Sequence, residues 1–418
     1  MTAMNTGTEK KADVIVIGGG AAGMMAAGTA AENGKNVILA EKNRMLGKKL
    51  LITGKGRCNI TNACDDLEEL LNNVTVNRSF LYSAIYGFTN AETIEFFNGL
   101  GVETKVERGN RVFPVSDKSS DVVDALIRYN KKQGVRAIRD RVLEIVAEDG
   151  CVTGVRTEKH GFIRAERVIL ATGGMSYQGT GSTGDGYIWA KKLGHTVTEI
   201  TPSLVPVEVE ESWAYELMGV SLRNIEITVL NGRGKKVYKD FGELMFAHFG
   251  LTGPVILSAS AHMRPMKPDF YRILIDLKPA LTEEQLDRRV QRDFQKYSNR
   301  DFRNSLGDLI PVGLIDTVTA LSGIDAHKKV NSVTRGERLG LVRLIKRIEL
   351  TVKDFCPIEQ AIITSGGISV KEIDPSTMES KLVRGLYFAG EIIDVDAYTG
   401  GFNLQIAFST GRLAGRMC

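Results

Sequence analysis

The 418-residue chain predicts an α/β fold in which a parallel-sheet domain is assembled from both ends of the sequence, around an inserted β-rich domain that carries a small helical subdomain. Three observations predict it. Residues 13–17 (DVIVI) form an apolar β-branched run that enters a glycine turn, then an alanine-rich helical stretch, then a second apolar run: the strand–helix–strand order of a parallel sheet. Two further apolar strands bounded by glycine lie at 167–174 and 386–391. Between them the pattern changes to alternating β segments followed by capped helices. The boundaries drawn are 1–195 for the first part of the sheet domain, 196–355 for the insertion (β-rich 196–281 and 349–355, helical 282–348) and 356–418 for the second part.

Composition supports a globular reading, with 43% hydrophobic and 25% charged residues. Glycine is the term out of line. Of 44 glycines, nine fall in 13–60, seven in 171–194 and eight in 364–415, so the excess sits in three clusters. A net charge of +4 is too small to argue for nucleic acid or membrane as the main partner. The apolar run 14–31 is built of Gly and Ala without a basic leader, which fits neither a signal peptide nor a spanning helix, and a cytoplasmic protein is expected. Five cysteines without a CxxC pair, with five scattered histidines, predict neither a disulfide framework nor a metal.

In order along the chain, the first strand ends in Gly18-Gly-Gly20-Ala21-Ala22-Gly23, a GxGxxG turn. Gly18 permits the tight turn, Gly20 lets backbone approach a pyrophosphate, and Gly23 allows close helix-to-strand contact. The helix over 21–33 then offers its N-terminal N–H groups to the anion and stops at Gly34. A second strand at 36–40 ends at Glu41, where a carboxylate accepts adenosine ribose hydroxyls and disfavours a 2′-phosphate. With strand, turn, helix, strand and acid in register, the motif predicts a Rossmann-like dinucleotide site. Residues 42–62 are too polar for a core strand and read as a loop along the ligand, with Lys42, Lys49, Gly54, Gly56, Arg57, Cys58 and Asn59 as candidate contacts.

Capped helices are predicted near 89–99, where Thr89-x-x-Glu92 is a capping box, and at 121–133. Three short strands follow at 141–148, 152–157 and 161–164, with Val142 as a further cofactor candidate. The strand 167–174 then ends in Ala171-Thr172-Gly173-Gly174. This meander with its ATG turn resembles the FAD domains of the glutathione-reductase type, which points to FAD rather than NAD. The third cluster, a strand ending in Gly390-Glu391 and a helix over 402–414, implies by the same resemblance an acid near the ribityl chain or the pyrophosphate and a helix N-terminus aimed at the flavin pyrimidine. Free N–H groups of Asn403, Leu404 and Gln405 would stabilise the charge that develops there on reduction.

The stretch 46–62 (LGKKLLITGKGRCNITN), with 246–254 (FAHFGLTGP), 364–368 (TSGGI), 390–396 (GEIIDVD) and 400–405 (GGFNLQ), resembles the BaiN-type family of FAD-dependent oxidoreductases over nearly the whole chain. The resemblance implies a discontinuous FAD domain with an insertion, and an activity such as the Δ4,6 reduction of a 3-dehydro-bile acid. In the insertion, strands are read at 206–210, 225–230, 271–277 and 349–353, with helices capped by Thr282-x-x-Gln285 and Thr334-x-x-Glu337.

A flavin carries the redox chemistry itself, so catalytic side chains leave little trace in sequence. For an α,β-unsaturated ketone, the hydrogen-bond donors nearest the motif segments are Tyr177, His248 and Tyr398. Cys58 and Cys64 are separated by five residues, one more than in flavin disulfide reductases, and structural thiols are expected. Gly179-Thr-Gly-Ser-Thr-Gly184 repeats GxGxxG but follows no buried strand, so NADH or NADPH is expected only as a transient donor at the flavin. Three alternatives stay open: an oxidase passing electrons to oxygen, a disulfide reductase, and an RNA-binding flavoprotein. The last draws on a basic helix with Arg288, Arg289, Arg292, Lys296 and Arg300, charges that a solvated helix face also explains. The expected partner is a small molecule, with no nucleic acid and no membrane.

Overall fold

The computed structural model describes residues 11–418, and the chain divides into two compact units. One is the stretch ending at Pro202 together with Ile362–Cys418; the other is Ser203–Ala361, where the sequence pattern drew 196 and 355.

In the first unit, Lys11–Ile17 and Val37–Glu41 pair in parallel, with Val14 opposite Val37, and the helix Ala21–Glu32 forms the crossover between them. Val14, Ile15 and Val16 are all fully buried, so the strand has no polar alternation. Each such side chain contributes about 1.5–3 kcal/mol by leaving water. Arg136–Arg139 extends the sheet beyond Val37–Glu41, and Gly161–Leu170 lies on the other side of the first strand. The segments read as separate strands at 161–164 and 167–170 are one strand. Arg164 and Glu166 are exposed while Ala165 is buried, so the polar residues that suggested a break occupy the outer face of a continuous pleat.

The start of this long strand pairs antiparallel with Cys151–Thr157, and its last three residues pair in parallel with Leu386–Phe388. The C-terminal stretch thereby completes the sheet that the N-terminal stretch begins. The 42–62 segment, expected as loop, contains the short helix Lys48–Ile52, a tight turn at Thr53–Gly56 and the strand Thr61–Asn62, which pairs with Arg111–Pro114.

The C-terminal helix Phe402–Met417 packs against Ala21–Glu32. A Cβ on Gly411 would meet the Ala22 carbonyl oxygen at 2.4 Å, and one on Gly415 would meet that of Ala26 at 2.3 Å. The contact therefore needs glycine at both positions. Because 411 faces 22 and 415 faces 26, the two helices run in parallel.

The second unit is a closed six-stranded barrel. Around it run Val207–Val209, Gly250–Thr252, Lys236–Ala247, Ser221–Leu230, Tyr271–Asp276 and Ile348–Phe355, each antiparallel to its neighbours. Closure leaves no strand edge to pair with another chain. Lys236–Ala247 escaped the sequence reading because most of it is exposed or half-buried, so it lacks an apolar stripe. The helices Glu283–Lys296, Ile315–Ser322 and Arg335–Lys346 lie, in chain order, between the last two barrel strands, and Leu286, Val290, Leu341 and Ile345 join the barrel residues Ile273 and Leu350 in one core. All three predicted capping boxes, at Thr89, Thr282 and Thr334, are formed.

Candidate FAD site

The glycine turn divides its labour residue by residue. Gly18 has φ +105°, and a Cβ there would lie 2.5 Å from the Ala171 carbonyl oxygen, which brings the ATG turn against the first strand. A Cβ on Gly23 would lie 1.8 Å from the Gly18 oxygen, whereas one on Gly20 would meet nothing within 4 Å. Open space thus faces Gly20. The first intrahelical bond runs from Met24 N–H to Gly20 C=O at 2.9 Å, so the N–H groups of Ala21, Ala22 and Gly23 precede the ladder, with no acidic side chain in the first turn. That is an anion cradle of the kind a pyrophosphate occupies.

Glu41 closes the second strand with its carboxylate already oriented. Oε2 accepts the Gly19 N–H at 2.7 Å, and Oε1 accepts the Asn43 N–H at 2.7 Å and the Asn43 side-chain amide at 2.8 Å. Oε1 is filled by its two bonds, and a lone pair remains on Oε2 for a ribose hydroxyl. Lys42 pairs with Asp185 at 2.8 Å, while Lys48 reaches the Gly179 carbonyl at 2.6 Å and Asn43 that of Thr180 at 3.0 Å. The second GxGxxG, 179–184, is thus a loop lying along 42–48 rather than a second nucleotide turn.

The three glycine clusters meet at Glu391. Its carboxylate accepts Lys49 Nζ at 2.6 Å, the Thr364 N–H at 2.8 Å and Ser176 Oγ at 3.2 Å. Ser176 and Thr364 were not singled out in the sequence; the TSGGI and GGMS runs were the available signal. Gly173 and Gly390 both adopt positive φ, +73° and +76°, and a Cβ on Gly390 would lie 2.8 Å from that of Ala22, which draws the strand end beside the first helix. Val142 is buried at the start of its strand.

Two expected cofactor contacts have partners within the protein. The Arg57 guanidinium forks onto Glu107 at 3.0 and 2.8 Å, lies 3.2 Å from Asp117 and stacks 3.9 Å above the Phe113 ring. Its donors hold the loop together. Gln405 is fully buried; its N–H is bonded to the Gly401 carbonyl at 3.0 Å, and its amide to Thr61, Phe88 and Ser409. The open N–H groups of the C-terminal helix are those of Phe402, Asn403 and Leu404, ahead of that first bond. The Asn403 side chain brackets Ala397, accepting its N–H at 3.0 Å and donating to its carbonyl at 2.7 Å.

Fit to FAD is tested by the polar atoms left over. Asn59 Oδ1 and Thr172 Oγ1 are buried without a hydrogen-bond partner, and both belong to the segments expected along the cofactor. A buried unpaired oxygen costs about 1–3 kcal/mol, a cost that a polar ligand reaching these two atoms would remove. Together with the Gly20 space, the oriented Glu41 and two open helix ends, the donor set fits FAD. Gly54 and Gly56 adopt positive φ in the tight turn before Asn59. Cys58 closes that turn through its N–H, bonded to Thr53 at 3.0 Å; its thiol is fully buried, and burial pushes it up to about 12. Burial also raises Cys64, to about 11, and both are free thiols. Neither presents a thiolate for disulfide exchange.

Compared with known proteins, residues 12–417 match the family described as HI0933-like protein Rossmann domain. A 3-dehydro-bile acid Δ(4,6)-reductase from Clostridium scindens is 32% identical over 96% of this chain and 97% of its own. The chain belongs to the HI0933-like family. A ribosomal RNA dihydrouridine synthase from Escherichia coli K12 is 30% identical over 95% of this chain and 96% of its own. Among solved structures, a 3-ketosteroid Δ4-(5α)-dehydrogenase from Rhodococcus jostii RHA1 superposes with TM-score 0.53 at 17% identity, covering 99% of this chain and 98% of that one. At that identity the likeness is one of fold.

As an HI0933-like protein the chain is an FAD-dependent oxidoreductase, as the GKGRCNITN resemblance implied. Among the described residues no helix is long and apolar enough to cross a membrane. The expectation of no nucleic-acid partner gains nothing from the comparisons, since one relative at 30% identity is named for ribosomal RNA. The three donor candidates fall in different places. Tyr177, half-buried with φ +51°, and Tyr398, half-buried beside the C-terminal helix with its carbonyl 3.2 Å from Asn403 Nδ2, belong to the first unit. His248 is exposed on the second unit, against Phe249.

Proposed function

We propose that this HI0933-like protein reduces a carbon–carbon double bond conjugated to a carbonyl, with a small, steroid-like enone as the first reading of the substrate and NADH or NADPH as the source of electrons. One observation supports the reaction class. Two relatives matched over nearly their full length are named for chemically unlike molecules, a bile acid and a ribosomal uridine, yet each name describes saturation of such a bond. The 4,6-diene of a 3-oxo steroid and the C5=C6 bond of uracil are both polarised by an adjacent carbonyl.

When bound, FAD supplies hydride from N5 to the β-carbon. The α-carbon then takes a proton, and the carbonyl oxygen carries enolate charge until it does. On this chain the N–H groups of Ala21, Ala22 and Gly23 would hold the pyrophosphate and Glu41 the ribose. Asn403 and Leu404 at the helix end would stabilise the negative charge left on the ring. Tyr398 is the favoured proton donor, because Asn403 fixes its backbone beside that same helix end; Tyr177 and His248 are the alternatives.

A uridine in RNA is the second substrate reading, favoured by the 30% relative named for it. Anaerobic reduction of the purified holoprotein by NADH or NADPH, followed by a panel of 3-oxo-Δ4 and Δ4,6 steroids, uridine-containing RNA, disulfides and finally oxygen, tests both. Flavin absorbance should return with an enone or with RNA. Reoxidation by oxygen or disulfide alone would defeat the proposal.

A further inference from the structure

The helical segment 282–347 holds thirteen Lys and Arg against nine Asp and Glu, so its net charge equals the +4 of the whole chain. The segment also uses most of its acids locally. Arg289 pairs with Asp293, Lys296 with Asp308, Lys328 with Glu337 and Arg338 with Asp287, at 2.6–2.9 Å. Four further cations are likewise paired. The cations left without a carboxylate within 4.0 Å, among the described residues, are all arginines and all exposed: Arg288, Arg292, Arg300, Arg335 and Arg343.

Four of them gather on neighbouring positions. Arg288 and Arg292 are one turn apart on Glu283–Lys296 and share a face. Arg300 lies just past that helix, its guanidinium 4.5 Å from the centre of the Tyr297 ring. Arg335 opens the adjacent helix, held alongside by the Arg338–Asp287 pair, and lies within electrostatic range of Asp287. We propose that Arg288, Arg292, Arg300 and Arg335 form an RNA-docking face that binds backbone phosphates, with Tyr297 and Arg300 as a stacking platform for a base.

The chemistry favours RNA over other anions. Arginine forks match phosphate in a bidentate way, and an arginine laid on a tyrosine adds a flat cation on which bases stack. A membrane-surface helix would keep an apolar face beside its cations, but here Leu286 and Val290 are fully buried in the core of the unit. The proposal rests on the uridine reading of the substrate and supplies the phosphate contacts that reading needs.

The test is fluorescence anisotropy of the FAD-loaded protein with a labelled oligouridylate of about twenty nucleotides, titrated across a salt series. Each single-strand phosphate contact contributes about 0.7 to the slope of log Kobs against log salt. Replacing the four arginines with alanine should therefore lower the slope by about 2–3 and weaken binding at least tenfold in low salt. Flavin content and reoxidation by a small enone should not change. The four Arg→Lys replacements should restore the slope, which separates charge from any change of fold. If RNA binds with the same slope to wild type and the alanine variant, this face is not the docking surface, although the uridine reading survives. If wild type binds no RNA while enones reoxidise its flavin, both fall. Equal displacement of the oligonucleotide by polyglutamate would mark an unspecific polyanion surface and overturn the proposal.

Discussion

Alanine at Gly20 should leave the stability of the FAD-free protein nearly unchanged, whereas alanine at Gly23 should lower it. Gly20 has φ −82° and ψ −167°, values open to any L-residue, and its Cβ would meet nothing within 4 Å. Gly20→Ala therefore restricts the unfolded chain without straining the folded one, a gain of about 0.4–1 kcal/mol, which is offset by a similar loss because Gly20 caps the helix and an N-cap prefers glycine to alanine. At Gly23 the new carbon would lie 1.8 Å from a backbone oxygen, far inside the 3.0 Å that real Cβ atoms respect, so the helix must withdraw by more than an ångström. Overpacking of this kind costs about 1–3 kcal/mol, offset by about 1 kcal/mol of helix propensity, which leaves Gly23→Ala up to about 2 kcal/mol less stable. Cofactor binding adds a third arm. The space in front of Gly20 is where the pyrophosphate must approach, so the added methyl should weaken FAD at least tenfold, about 1.4 kcal/mol. Urea denaturation of FAD-stripped protein reads the first two effects, and quenching of flavin fluorescence on titration reads the third. A Gly20→Ala protein with unaltered FAD affinity would show that the pyrophosphate does not lie there.

Other outcomes follow from single contacts. Glu41→Gln should retain the Asn43 turn only in part and weaken FAD by roughly tenfold, since a charged acceptor is worth about 1.5–3 kcal/mol; undiminished FAD retention would remove Glu41 from the ribose role. His195 is buried, 2.9 Å from Ser380 Oγ, 3.3 Å from Glu372 and edge-on to Phe388, and burial holds it below the ordinary imidazole value against the pull of Glu372. The folded state therefore takes up this proton less readily than the unfolded chain. The stability tied to it is complete above about pH 6.5 and falls as pH drops toward the folded value, by up to about 1.4 kcal/mol per unit. His195→Gln should flatten that decline in urea midpoints between pH 7 and 5, and parallel curves for wild type and variant would refute it. Iodoacetamide at neutral pH should alkylate native protein at Cys151, the one cysteine that is not buried, and mass spectrometry showing prompt modification of Cys58 would reopen disulfide chemistry.

What was legible in the sequence is local. Strand, turn, helix and acid from 13 to 41 are fixed by neighbours in sequence, and the capping boxes at Thr89, Thr282 and Thr334 need only four residues each. What sequence could not show depends on distant partners. Arg57 looks like a ligand contact until Glu107 and Asp117, fifty and sixty residues away, occupy its donors. Gln405 looks free at a helix N-terminus until the fold buries it against Phe88 and Thr61. Gly411 and Gly415 were not singled out, because the partners that require glycine there, Ala22 and Ala26, lie almost four hundred residues earlier.

That helix contact also bears on charge. With 411 level with 22, the C-terminal helix begins about eight residues, or about 12 Å, beyond the start of the first helix, and both positive ends point the same way. Two ends of about +0.5 charge at that separation repel by only a few tenths of a kcal/mol at an effective dielectric of about 20. An anion seated at either end gains about 0.3–1 kcal/mol, and up to about 2 when partly buried. The parallel arrangement is thus nearly free of cost in the empty protein and favourable twice over for a ligand with two negative centres spaced along its length. FAD is such a ligand once reduced, with a pyrophosphate at one place and charge on the flavin pyrimidine at another. The glycines at 411 and 415 would act on binding by setting how closely the helices approach and in what register.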